Sequence, residues 1–212
     1  MIELTKYEHA CLFLNKDGVR LVIDPGCFTK LPGDLSDIAV IIITEEHRDH
    51  MDVDNLQTIL AASPDAQIFT SEVANAALAE AHIASTPIKG AATIEVAGYT
   101  LTFDETDHAP TYIHSPCRSL SLTVDDYLYY PGDSYNTTSD AVEILALPTS
   151  GPWHKLSEAI DFANEIKSRR ILATHNYLYS DDGNAVANSF IKMNLADQSR
   201  EFVYLEVGES LT

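Results

Sequence analysis

The stretch "TEEHRDH", Thr44 to His50, follows directly on the apolar run "IAVIII". Imidazole and carboxylate groups at that density are the donors that suit Zn, Mn or Fe. The same arrangement recurs along the chain. "YTLTFDETD" runs into His108, "YLYYPG" into Asp133 and "RILAT" into His175. Four strand-like segments thus each end on a potential ligand, and strand-end loops are where a rigid scaffold presents chemistry. One histidine at a strand end is ordinarily a surface or core-edge residue. The joint pattern, with Asp49 beside His47 and His50, points instead to a metal centre. Its candidate ligands are Glu45, His47, Asp49, His50, His108, Asp133 and His175. A dinuclear centre with an unusual ligand, a centre for one ion and a decayed site are all compatible with these residues.

The elements that must position these side chains can be read from apolar periodicity. "IELTKY", "ACLFLN" and "VRLVID" alternate as strands, with "NKDG" as a hairpin turn between the second and third. "IAVIIIT" is apolar throughout and predicts a strand covered on both faces. "DVDNLQTILAAS" predicts a helix capped by Asp52, followed by the strand "AQIFT" and the helix "SEVANAALAEAH". A β-rich middle leads to the strand "AVEILALP", the helix "KLSEAIDFANEIKS", the strand "RRILATH", a helix over "NAVANSFIKMN" and a last strand, "REFVYLEV". The expectation is an α/β (α+β) chain with two packed sheets and helices outside. "LVIDPG" and "LYYPGD" echo each other, as strands ending on Pro-Gly beside an aspartate.

The chain has 212 residues, enough for one domain spanning 1–212 with a core that needs no staples. Thirteen basic and 32 acidic residues give a net charge of −19. Such a surface repels phosphate backbones and anionic membranes, so neither nucleic acid nor membrane is an expected partner. No apolar run reaches the ~18 residues of a membrane span, and the N-terminus lacks a signal-peptide pattern. Cys11, Cys27 and Cys117 offer no disulfide framework, read as buried or half-buried thiols, and fit a reducing cytoplasm. The expected partner is a small-molecule substrate, and a homo-oligomer is compatible with the composition.

"TEEHRDH" resembles the T-H-x-H-x-D-H signature of the metallo-β-lactamase fold hydrolases, with Glu45 in the first histidine position. His108, the "YPGDS" aspartate Asp133 and the "LATHNY" histidine His175 follow in that family's order. The opening "YEHACLFLNKDGVRLVIDPGCF" and the segment "PTSGPWHKLSEA" resemble the UlaG-like, L-ascorbate-6-phosphate lactonase-like branch, with His9 in its early histidine position and Glu8 replacing a glycine. The resemblance implies a four-layer αββα sandwich. It also implies two divalent ions, Zn or Mn with Fe as a further choice. One ion would draw on Glu45, His47 and His108, the other on Asp49, His50 and His175, and Asp133 would bridge them.

By the same resemblance the activity is metal-dependent hydrolysis of an ester, lactone or phosphodiester in a small metabolite. A metal-activated hydroxide would be the nucleophile, oriented by Asp49, with His9 contacting a ligand or the substrate. Glu45 would either bind as a harder oxygen donor, shifting preference toward Mn or Fe, or swing to solvent and leave one ion. His114 and Arg118 are candidates for binding a substrate anion, His154 for lining the pocket or capping a helix, and Tyr177 and Tyr135 for facing substrate. His82 reads as a helix-end residue answering the helix dipole. A diiron redox protein on the same fold and a non-catalytic metal binder are the alternatives.

Overall fold

The structure, a computed structural model, describes residues 1–112, 117–138 and 140–212. β1 (Ile2–Lys6), β2 (Leu12–Lys16) and β3 (Val19–Ile23) form an antiparallel meander. Its β2–β3 turn is Asp17-Gly18, with φ of 53° and 88°, the double positive φ that lets a two-residue turn match strand twist. β4 (Ile38–Ile43), β5 (Gln67–Thr70) and β6 (Thr86–Pro87) then add in parallel, connected through α1 (Val53–Ala62) and α2 (Glu72–Glu80). Asp52 and Ser71 cap these helices, accepting from the N–H groups of Asn55 and Ala74.

The second half repeats this plan. β7 (Ala92–Val96), β8 (Tyr99–Asp107), β9 (Arg118–Val124) and β10 (Leu128–Tyr130) pair antiparallel. β11 (Val142–Pro148), β12 (Ser168–Thr174) and β13 (Glu201–Val203) follow in parallel, with α3 (Leu156–Glu165) and α4 (Asp181–Met193) in the crossovers. β14 (Ser210–Leu211) returns to the first sheet beside β1. The sheet orders are β14-β1-β2-β3-β4-β5-β6 and β13-β12-β11-β10-β9-β8-β7.

Three apolar layers make this a four-layer αββα sandwich. Leu14, Ile23, Ile42, Phe103, Leu122 and Ile144 fill the space between the sheets. Phe13, Ile41, Ile43, Leu56 and Leu78 join the first sheet to α1 and α2. Leu145, Leu147, Phe162, Ile171 and Ile191 join the second to α3 and α4. Successive side chains of one strand enter different layers, as the two-residue period demands, which is why "IAVIIIT" is apolar at every step. No helix among the described residues is long and apolar enough to cross a membrane.

Some local expectations need correction. α4 begins at Asp181, ahead of the expected Asn184, because the Ser180 hydroxyl caps it by accepting from Gly183 N–H. The last strand stops at Val203, and the chain turns at Gly208 (φ 83°) to supply β14. His82 lies just past α2 in the left-handed conformation (φ 59°) and closes the helix end through its backbone N–H on Ala79 O. Cys27 is exposed, whereas Cys11 and Cys117 are buried, and all three are free thiols.

The loop after β3 and the loop after β4 touch backbone to backbone. A Cβ on Gly26 would fall 1.9 Å from Asp49 O and 2.6 Å from His50 N. Gly26→Ala is expected to destabilise by about 1–3 kcal/mol, as overpacking does, and to lower bound metal by displacing Asp49 and His50. Gly33→Ala, whose Cβ meets nothing within 4 Å, is the control and should leave both unchanged. Denaturant unfolding and metal analysis of the two variants check this.

Candidate metal centre

The ends of β4, β8, β10 and β12 meet at one edge of the sandwich, bringing the strand-end residues together. One atom each from Asp49, His50, Asp133 and His175 lie within 4.8 Å of one another, and so do one each from Glu45, His47 and His108. Asp133 reaches both groups. Its Oδ1 is 3.1 Å from His50 Nε2 and 3.1 Å from His175 Nε2, and its Oδ2 is 3.5 Å from His108 Nε2. Glu45 turns inward instead of to solvent. It is fully buried, with Oε1 2.6 Å from His47 Nδ1 and 3.6 Å from His108 Nε2.

Hydrogen bonds behind the site fix which imidazole nitrogens face inward. His50 Nδ1–H donates to Asp24 Oδ2 (2.7 Å), His175 Nδ1–H to Ser150 O (2.7 Å) and His108 Nδ1–H to Ala109 O (2.5 Å). Each ring therefore turns its Nε2 into the cluster, the arrangement by which outer partners orient metal ligands. Asp24 is fully buried and also accepts from Thr44 N–H (2.8 Å), Thr44 Oγ1–H (2.6 Å) and Tyr130 O–H (2.9 Å). Trp153 Nε1–H donates to Asp133 Oδ2 at 2.7 Å.

His9 is buried and supports Asp49. Its Nδ1 accepts from Tyr177 N–H (3.4 Å), so its Nε2–H donates to Asp49 Oδ2 (3.1 Å). His175 N–H donates to His9 O, and the two rings lie 3.7 Å apart. His9, Asp24 and His175 all sit at positive φ, 59°, 46° and 54°, conformations that His and Asp tolerate better than most residues and that gather at functional sites.

The donor set fits a cation. Asp133 Oδ1 and Glu45 Oε2 are buried without a hydrogen-bond partner, and His50 Nε2 and His175 Nε2 each stand 3.1 Å from Asp133 Oδ1. Lone pairs so arranged call for a proton, a metal ion or a water between them. Protons occupy the metal-free site. Burial works against charge on His175, yet Asp133 beside it raises the imidazole to about 9. Burial likewise opposes charge on His50, but Asp133 and Asp24 hold it well above the usual histidine range. Burial and the Asp133 charge raise Glu45. Burial works to raise Asp49, but hydrogen bonds from His175 and His9 hold it well below the carboxylate range. His9 itself is lowered to about 4 by burial, so it is a neutral donor to Asp49.

The remaining candidates lie outside the two groups. Arg118 pairs with Asp107 (2.6 Å) and Glu105 (3.4 Å), so its charge is already matched. His154 stands beside Trp153 with Nε2 buried and unpartnered, and burial lowers it to about 4. Lys155, next in sequence, occupies the N-cap of α3. Tyr177 stacks on Phe28 (4.6 Å, 20°) and is half-exposed. Tyr135 packs on Trp153 and Phe162. His114 lies outside the described residues. Sequence reasoning assigned no role to Asp24, Trp153 or Tyr130. The echo of "LVIDPG" and "LYYPGD" was the available signal for Asp24, since β3 and β10 are the central strands of their sheets.

Residues 3–175 match the beta-lactamase superfamily domain, and the chain belongs to that family. It is 28% identical over 195 residues to Protein Rv0786c of Mycobacterium tuberculosis, a match covering 87% of this chain and 89% of that one. Its fold is similar to that of Igni18, a metallo hydrolase from the archaeon Ignicoccus hospitalis. That match has a TM-score of 0.75 at 17% identity, covering 99% of this chain and 97% of Igni18. It is also similar to part of CmlA, a diiron β-hydroxylase from Streptomyces venezuelae, with a TM-score of 0.77 at 13% identity over 99% of this chain and 54% of CmlA.

Two expectations follow from the geometry. Asp24→Asn should weaken metal binding about 10–100-fold, because an amide cannot accept from His50 while serving the other donors; calorimetric titration of variant and parent measures it. The second concerns pH. His175 keeps its proton to about 9 in the fold against 6.5 for an ordinary histidine. A raised value stabilises the metal-free fold fully below about 6.5, and that contribution is lost as pH rises through about 9. A bound cation replaces the proton and removes this loss. Denaturation midpoints of chelator-treated protein should therefore fall across that range, while those of metal-loaded protein do not.

Proposed function

We propose that this β-lactamase superfamily protein is a metal-dependent hydrolase that opens an ester or lactone in a small metabolite. The observation that carries the reading is the buried, unpartnered Asp133 Oδ1 set between His50 Nε2 and His175 Nε2. Asp49, His50, Asp133 and His175 would hold one ion, and Glu45, His47 and His108 a second, with Asp133 reaching both. Bound there, such ions supply Lewis acidity and an activated water. Glu45 adds a carboxylate donor, which favours Mn or Fe over Zn in its group.

The chain's own residues do the positioning. The side chain of Asp49 is 26% exposed, so it faces solvent as well as the cluster, and, held as a carboxylate, it accepts from water and orients it there. His9 holds that carboxylate in place. Trp153 and Asp24 keep Asp133 and His50 from rotating away. The half-exposed Tyr177–Phe28 stack beside His9 offers an apolar wall. An uncharged ester or lactone suits these surroundings better than a phosphodiester, because Glu45, Asp49 and Asp133 crowd the centre and Arg118 is already paired. The sequence resemblance to the lactonase-like branch supports the same substrate class.

The buried Glu45 carboxylate also favours a second reading, an oxygen-activating diiron protein, since oxygen donors suit iron. The test is chelator-treated protein reloaded with Zn, Mn or Fe and presented with lactones, esters and phosphodiesters. Loaded protein should open a lactone or ester, and Asp49→Asn should lower the rate about 10²-fold or more. Equal rates with and without metal would remove the hydrolase reading. An iron-specific optical spectrum without hydrolysis would favour the second.

A further inference from the structure

His47 belongs to a second donor group on the outer side of the centre. One atom each from Glu46, His47 and Cys117 lie within 4.8 Å of one another. The strand pairing of β8 with β9 creates this neighbourhood. Asp107 pairs with Arg118, and the next step places His108 N–H on Cys117 O at 3.1 Å, so the thiol stands beside an inner ligand. Cys117 is buried, and its Sγ–H donates to Glu46 Oε1 at 3.3 Å. The other carboxylate oxygen, Glu46 Oε2, is buried and has no partner. His47 is the exposed member, with 44% of its side chain open to solvent.

We propose that Glu46, His47 and Cys117 form an outer binding position for a borderline-soft divalent ion of the zinc or cobalt class, separate from the inner pair and sharing His47 with it. Sulfur, imidazole and carboxylate make three protein ligands with one open position, a set that zinc accepts. The inner group of Glu45, His47 and His108 contains no sulfur, so the two positions select differently between hard and soft ions. Bonds of about 2.0–2.3 Å need the ligand atoms somewhat closer than they stand, and the exposed His47 ring can rotate to supply that. The thiol proton leaves to water as the sulfur–metal bond forms.

The inference rests on the metal-centre reading above, and one experiment separates the two. Protein carrying its inner ions is titrated with cobalt(II) while the near-ultraviolet sulfur-to-cobalt charge-transfer absorption and the bound metal are recorded. The expected result is one further ion per chain together with that absorption. Cys117→Ser should abolish both, Glu46→Gln should weaken the extra binding about tenfold, and Cys27→Ser should change neither. His175→Ala should lower inner metal by about one ion yet keep the sulfur absorption, so failure of the inner reading looks different from failure of the outer one. No sulfur absorption in the parent, absorption that persists in Cys117→Ser, or absorption lost in Cys27→Ser overturns the proposal.

Discussion

The buried carboxylate of Asp24 is the junction on which the site depends. A carboxylate without access to water must be fully hydrogen-bonded, and four donors from three residues meet that demand. Thr44 supplies its backbone and hydroxyl from the end of β4, Tyr130 reaches across from β10 in the other sheet, and His50 completes the set. One carboxylate thus ties the two sheets together at the edge where the ligands gather. It also sets the tautomer of His50, and so decides which nitrogen faces the cluster.

The rest of the centre extends that logic outward. Ser150 and Ala109 carbonyls do for His175 and His108 what Asp24 does for His50. Trp153 restrains one oxygen of Asp133 and leaves the other bare. Crowded carboxylates and imidazoles repel or attract according to how many protons they share, so the metal-free cluster holds protons where ions would sit. That exchange couples the stability of the fold to the occupancy of the site. The strained backbones of His9, Asp24 and His175 persist because the surrounding sheets over-determine them.

Glu45 shows how a carboxylate can stand where the family signature has an imidazole without dismantling the cluster. A carboxylate in place of an imidazole keeps a donor atom at the centre, since Glu45 is buried and directed at His47 and His108. It changes the donor from nitrogen to oxygen and adds negative charge, which bears on the choice of ion and not on the fold. Cys117 lies in a second group with Glu46 and His47, so an oxygen-and-nitrogen donor set and a sulfur-containing one share one exposed ring.

The sequence by itself determined the layers and the inner cluster. Alternation in "ACLFLN" and unbroken apolarity in "IAVIIIT" are read directly as strands covered on one or both faces, and Asp52 and Asp17-Gly18 act through local geometry alone. The seven strand-end residues were legible because each follows a recognisable strand. Only the tertiary structure decided that Glu45 turns inward, that Asp24 anchors His50 and Trp153 anchors Asp133, and that Arg118 is matched by Asp107 and Glu105. These depend on contacts between residues as far as 106 positions apart, as Tyr130 and Asp24 show, and on strand register, which put Cys117 opposite His108. Register and sheet-to-sheet packing are set by the summed burial of whole elements, and no local spacing encodes them.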